Sequence, residues 1–429
     1  MKASIRRRAP GRSRATAAAI ARDEAPTDRY LRKREDILGA AALTFNELGI
    51  GGGTLRDIAD RVGLATNSVT YYYRRKEDLA SACFLRSIAA HGEIIRKAAL
   101  RASVAERVEA YLVGEAEMLA AIAIGEHPPV AIFSEVRNLD AKTGAEVHDA
   151  YIGMFREVRR LLVGPETSAL GRTDLNARTH MLLSAANLMR VWINRAEPDQ
   201  YARIGTRTAD IVVNGIGSPR SRWPADAGPE LHWVLVDAVD APSDRFLRVA
   251  TDLLNEKGYH GASVDRISAR LNVTKGSFYH YIEHKDDLIL ACFERTLTAI
   301  RRAATEAEAL PVSGWHRVCA MSRAIGRLQV SAQGPLLRVG VLGALPAFDG
   351  RAHAYRRMFQ LADRIGDLIV TGMVDGSIRP LDSGIAAQVV NGSVNAIAEL
   401  HHWLPSLDRE RLVDPYLKPV FEGLLAPPA

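Results

Sequence analysis

The chain has 429 residues, 47% of them apolar and 25% charged, with a formal net charge of +6. Such a length gives a prior of two or three domains, and the composition excludes disordered and fibrous classes. No apolar run nears the roughly 20 residues needed to span a bilayer, the longest candidate, Pro335–Phe348, being broken by Arg338.

The three cysteines, Cys83, Cys292 and Cys319, have no metal-ligand spacing. They point to a reduced, cytoplasmic protein, with no metal and no cofactor expected. The net charge is concentrated at one end. Residues 1–22 hold seven basic residues and no acid, so setting that +7 aside leaves about −1 on all that follows. The stretch lacks the apolar segment of a secretory signal and reads as a disordered, polyanion-touching arm over residues 1–29.

A helix is predicted over Glu35–Leu48, with Ile37, Leu38, Ala41, Phe45 and Leu48 on one stripe and Gly49 as its stop. Thr54 is placed to cap a second helix that ends at Gly63, and a third runs from about Ala65 to Tyr73. Helix, short turn, helix is the layout in which the last helix enters a DNA groove. On the wheel of the third helix, Val69 and Tyr73 share the core side and Tyr71 points away from it. Thr70 and Tyr72 flank Tyr71, Asn67 and Ser68 share the outer surface, and Arg74, Arg75 and Lys76 close the segment.

Further helices are predicted at Val104–Ala123, Val147–Val163, Leu175–Ile193 and Tyr201–Val213, and His127-Pro128-Pro129 reads as a helix break. A Pro- and Gly-rich break follows at Gly215–Asp244, read as a linker with one short ordered piece.

Beyond it the sequence repeats. Arg34–Arg86 lies on Ser243–Arg295 at a constant offset of 209 without a gap, and 17 of the 53 positions are identical. In the second copy Phe278 and Ile282 take the core positions, while Lys275, Ser277, Tyr279, His280 and Tyr281 take the presented ones, and Lys285 matches Lys76. Helices are predicted again at Trp315–Val330, Ala352–Thr371, Gly384–Leu404 and Arg409–Leu425.

"ISARLNVTKGSFYHYIEHKDDL" (Ile267–Leu288) resembles the signature of the TetR family of bacterial transcriptional regulators, and "IADRVGLATNSVTYYYRRKEDL" (Ile58–Leu79) is similar but more divergent. The resemblance covers about 50 residues in each unit. The second copy supplies Thr274, Gly276, Tyr279, Tyr281 and Lys285 of the pattern, departing at Asn272 and Ile282. The first keeps Gly63, Tyr72, Tyr73 and Lys76, with Asn67 and Thr70 as departures.

The resemblance implies an all-α fold of two tandem units. Each has an N-terminal three-helix helix-turn-helix domain (30–80 and 241–289) and a helical ligand-binding and dimerisation domain (81–215 and 290–429), joined by a linker at 216–240. It places Arg56, Thr66, Asn67, Ser68, Thr70, Tyr71, Tyr72 and Lys76 at DNA-contacting positions, with Thr274, Lys275, Ser277, Tyr279, His280, Tyr281 and Lys285 in the second copy. Arg56 has the acid Asp265 as its counterpart, so the two copies should read different sequences.

The partners it implies are a double-stranded DNA operator and a small-molecule effector, with no membrane. The units pair either within the chain as a pseudo-dimer, the preferred arrangement, or with their twins in a homodimer. Arg190, Trp192, His401, His402 and Trp403 are candidates to meet an anionic or apolar ligand or to form dimer contacts.

The expected function is a sequence-specific, ligand-responsive regulator, more often a repressor in this family. The alternatives are that only the second helix-turn-helix binds DNA while the first unit serves dimerisation, or an effector-free architectural DNA-binding protein. No phosphate-cradling loop or nucleophile elbow suggests an enzyme.

Overall fold

The computed structural model describes residues 28–133, 136, 139, 144–224, 231, 242–274, 276, 284–338, 340–341, 349–400, 402–404, 408 and 410–427. The described residues form helices and no β-strand, and no helix among them is long and apolar enough to cross a membrane. The basic arm lies outside the described residues.

The first unit runs α1 (Asp28–Gly52), α2 (Leu55–Arg61), α3 (Thr66–Tyr72), α4 (Lys76–Ala99), α5 (Val104–Ala123), α6 (Ala145–Leu161), α7 (Arg172–Trp192) and α8 (Tyr201–Asn214). The second runs α9 (Pro242–Gly261), α10 (Val264–Leu271), α11 (Lys285–Ala309), α12 (Gly314–Val330), α13 (Asp349–Val374), α14 (Ser383–Leu400) and α15 (Val413–Glu422).

Local chemistry sets the boundaries. Thr54 and Asp57 form a reciprocal capping box at the start of α2, and Ser103 and Glu106 do the same for α5. Gly49 stops the regular part of α1 at φ 69°, where its counterpart Gly258 stands at φ 67°. The long helices α4 and α11 extend well past the repeat that the sequence reveals. Ser87 and His91 fall on the buried stripe of α4, as Arg295 and Thr296 do on α11, and these polar residues interrupt the apolar period.

In both units, the segment after α5 or α12 is pinned to the N-terminal helices by equivalent residues. Asn46 on α1 donates to the Val130 carbonyl (2.9 Å) and accepts from the Ile132 amide (2.8 Å). Its counterpart Asn255 on α9 donates to the Leu336 carbonyl (2.9 Å) and accepts from the Arg338 amide (3.0 Å). Ser87 Oγ accepts from the Ala131 amide and Thr296 Oγ1 from the Leu337 amide. Arg86 bonds both Glu35 and the Pro129 carbonyl, and Arg295 bonds both Asp244 and the Gln333 carbonyl. This threefold latch ties the first helix of each domain to the helical body behind it.

The two units pack on each other. α7 lies against α14 and α15, α8 lies against α14, and α1 touches α9. Gly215 (φ 67°) and Gly423 (φ 97°) meet backbone to backbone, where a Cβ on either would collide with the other strand of chain. His180 Nδ1 lies 3.2 Å from Tyr416 Oη, the buried Arg178 donates to the Leu424 carbonyl, and Phe155 stacks on Trp403 with ring centres 3.7 Å apart. Two part-exposed pairs, Arg207–Asp382 (2.8 Å) and Arg379–Asp210 (2.9 Å), rim the seam.

The start of the linker belongs to this seam. Gly217 bridges to Ile378, and buried Trp223 donates its indole N–H to Asp414 and lies under the Arg323 guanidinium. The apolar patch expected to be ordered, "LHWVLVDAV", lies outside the described residues apart from Leu231.

Removing one latch residue tests its weight. Asn46→Ala or Asn255→Ala strips partners from two backbone groups, so each should cost about 1–2 kcal/mol. Denaturant unfolding of the full chain reads this as a lowered midpoint, whereas an unchanged midpoint would show that the latch holds nothing.

Candidate nucleic-acid interface

The first three-helix domain is built so that α3 exposes one face. Val69 is fully buried, and Tyr73 is 9% exposed with its hydroxyl accepting from Arg34 Nε at 3.1 Å. Burial pushes the Tyr73 phenol up against the opposing pull of Arg34. The turn before α3 uses Gly63 at φ 62°, and the Leu64 amide returns to the Ala59 carbonyl at 2.9 Å.

On the outer face Asn67 is exposed, Thr66 and Ser68 are half-exposed, and Tyr71 is 77% exposed. Thr70 is half-exposed, but its hydroxyl donates to the Asn67 carbonyl at 2.9 Å, which leaves only its acceptor side for a partner. Arg56 is exposed, 3.9 Å from Asp60.

Tyr72, expected on the flank of the presented face, is half-buried. It packs partly against the core and lies 4.8 Å from the ring of Tyr30, with Tyr71 edge-on at 5.3 Å. Tyr30 sits on the N-terminal extension of α1, ahead of the predicted start at Glu35. Its position seven residues before Ile37 and four before Arg34 is the signal that a longer helix would place it on the same stripe.

The lysines that close the two segments also turn inward. Lys76 Nζ lies 3.5 Å from the Gly51 carbonyl oxygen. Lys285 donates to the Tyr259 carbonyl with its ammonium 4.3 Å over the Tyr259 ring, and burial lowers its pKa. Tyr259 in turn donates to Asp286 at 2.6 Å. Lys285 thus ties the start of α11 to the end of α9, while Lys76 approaches the end of α1 from a more open position, and Arg74 and Arg75 are exposed cations beside α3.

In the second domain Ser263 caps α10, and Ile267 is fully buried. Asn272, the departure at the turn glycine, adopts φ 56° and ψ 45°, the left-handed geometry of Gly63. Asn is among the few side chains that tolerate this region. Thr274 is exposed. Lys275, Ser277, Tyr279, His280 and Tyr281, with the core positions Phe278 and Ile282, lie outside the described residues.

Of the other candidates, His402 is exposed and His401 lies outside the described residues. Trp403 joins the seam through Phe155. Trp192 is half-buried at the end of α7.

The family described as bacterial regulatory proteins, tetR family, matches at residues 37–83 and again at 246–292. The Transposon Tn10 TetC protein of Escherichia coli is 41% identical over 63 residues, which are 15% of this chain and 32% of that protein. The transcriptional regulator AcuR of Cereibacter sphaeroides is 41% identical over 61 residues, 14% of this chain and 28% of that one. The chain thus spans about a third of the length of the curated relatives it matches.

Among solved structures, AibR in complex with isovaleryl coenzyme A and operator DNA is similar at 22% identity and a TM-score of 0.34, covering 43% of this chain and 98% of that one. A TetR/AcrR-family regulator from Thermobifida fusca is similar at 26% identity and a TM-score of 0.29, covering 42% and 96%. The TetR-family model thus matches the chain twice, once in the N-terminal part of each unit.

The turn residue gives a direct check. Asn272→Ala should destabilise the second domain by about 1 kcal/mol, because alanine is strained at positive φ, while Asn272→Gly should be neutral or better. Thermal unfolding that ranks alanine equal to glycine would contradict the left-handed turn.

Proposed function

We propose that the chain is a DNA-binding transcriptional regulator whose two recognition helices read two different half-sites, held at a set spacing by pairing of the units within one chain. The observation that carries this reading is the seam of α7 and α8 with α14 and α15, including the Gly215–Gly423 contact, in a chain whose two TetR-type domains differ on their outer faces.

Asn67, Ser68 and Tyr71 supply hydrogen bonding to base edges and phosphates in the first copy, with Thr66 and Thr70 beside them, and Arg56, Arg74 and Arg75 supply phosphate contacts. In the second copy Thr274, Lys275, Ser277, Tyr279, His280 and Tyr281 take the same roles. Tyr72 acts by holding Tyr71 in place, and Lys76 and Lys285 act by fixing the fourth helix rather than by meeting phosphate.

A small molecule bound in a helical body changes DNA affinity by moving the segment that the latch ties to α1 or α9. Repression is the favoured outcome. A weaker first reader has its own support, since Thr70 spends its donor on Asn67 and Tyr72 is stacked on Tyr30.

Selection of bound genomic DNA followed by footprinting at one fixed salt tests the reading. The wild-type chain should protect two non-identical half-sites. Tyr71→Ala with Asn67→Ala should erase one, and Tyr281→Ala the other. If the first pair leaves the footprint intact, only the second domain reads DNA. A palindromic footprint would contradict intrachain pairing.

A further inference from the structure

The interior of the first unit holds charge that helix packing does not account for. His91 on α4 is 3% exposed, with Nδ1 2.7 Å from Glu115 Oε1 on α5. Tyr111, one turn before Glu115, is buried, and burial together with the Glu115 carboxylate pushes its phenol far up. Arg190 on α7 lies in the field of both Glu115 and Tyr111, and burial lowers its pKa.

Two donor or acceptor atoms here are shielded from solvent and have no partner, His91 Nε2 and Arg190 Nε. Arg190 makes no hydrogen bond or ion pair with any described residue. A guanidinium carries five N–H donors, and shielding one of them from solvent without a partner is costly. A carboxylate meets two of those donors at once in fork geometry.

The wall of this cluster is aromatic. Phe133 lies 5.3 Å from His91 and 5.3 Å from Tyr151, ring centre to ring centre. The second unit is different at the equivalent place. Ile300 stands 209 positions on from His91 and lines a cavity of about 20 Å³ with Phe293, Leu297 and Met358, where the polar groups are Thr296, Asn391 and Asn395 and none is ionisable.

We propose that His91, Tyr111, Glu115 and Arg190, walled by Phe133 and Tyr151, form a binding site in the first unit for a small aromatic carboxylate, with Arg190 as the partner of the anion. His91 donates from Nδ1 to Glu115 and offers Nε2 to a second polar group of the ligand. Phe133 directly follows Ile132, whose amide is held by Asn46 on α1. Occupancy beside Phe133 is thereby communicated to the first DNA-binding domain and not to the second. This regulatory consequence rests on the regulator reading above, while the binding itself does not.

Calorimetric titration of the full chain with benzoate and 3-phenylpropanoate, and with their amides as uncharged twins, tests the site. One carboxylate should bind per chain, and Arg190→Gln should weaken it by about tenfold or more, as should replacement of the carboxylate by the amide. Arg190→Lys keeps the charge but loses the fork, so it should lie between, and it serves if Arg190→Gln does not fold. Carboxylates that fail to bind, that bind no better than the amides, or that bind wild type and both variants alike would overturn the proposal. DNA binding by the same proteins without ligand is scored separately. Carboxylate binding as expected in a chain that binds no DNA would remove the regulator reading and leave the site standing.

Discussion

The arrangement of the whole chain depends on one close approach, the backbone contact between Gly215 at the end of the first unit and Gly423 near the end of the second. Both residues stand at positive φ, where a side chain would be strained as well as obstructed. The Ile216 amide reaches the Phe421 carbonyl at 2.9 Å and the Leu424 amide reaches the Val212 carbonyl at 2.9 Å, so the two chain segments cross in register. Around this point α7 and α8 lie on α14 and α15, and the linker strap carrying Trp223 is seated on the second unit. The part-exposed Arg207–Asp382 pair at the rim contributes little by comparison, since surface pairs are worth roughly 0–1 kcal/mol, whereas Arg379 also donates to the Gly215 carbonyl at 2.8 Å.

From the seam outward, the latches carry position to the three-helix domains. Asn46, Ser87 and Arg86 hold the 129–132 segment, and Asn255, Thr296 and Arg295 hold the 333–338 segment. The same chemistry at the same offset ties both domains to the helical body behind them. The interiors behind the latches differ, with charged and polar groups around His91 in one unit and Ile300 at the matching place in the other. A duplicated transmission with unlike interiors is the physical basis for proposing unequal regulation of two unlike readers.

Much of the frame was legible in the sequence. The residues identical between the copies prove largely structural. Leu38 and Ile58 are core, Gly49 and Gly258 stop their helices, and Glu47–Arg61 and Glu256–Arg270 tether the second helix to the first. Cys83 and Cys292 both donate to the carbonyl of the leucine on the first helix. The helical period placed Val69 and Tyr73 in the core because apolar spacing reports burial. The outer face of α3 is where the copies diverge.

What the sequence hid was contact between distant elements. Tyr30 lies outside the repeat, so its helical spacing to Ile37 carries a signal only if α1 is extended past its expected start. The inward turn of Lys285 depends on Tyr259, and the gathering of His91, Glu115 and Arg190 joins three helices that no spacing rule connects. Polar residues on the buried stripes of α4 and α11 obscured two of the longest helices for the same reason: a satisfied buried polar group reads as surface.

The most direct test of intrachain pairing is the mass of the complex between the chain and its selected DNA, measured by light scattering or native mass spectrometry. One 46.9 kDa chain on a duplex carrying both half-sites is the predicted result. Two chains on every duplex, with no single-chain complex at any protein ratio, would contradict the pseudo-dimer and return each unit to pairing with its twin.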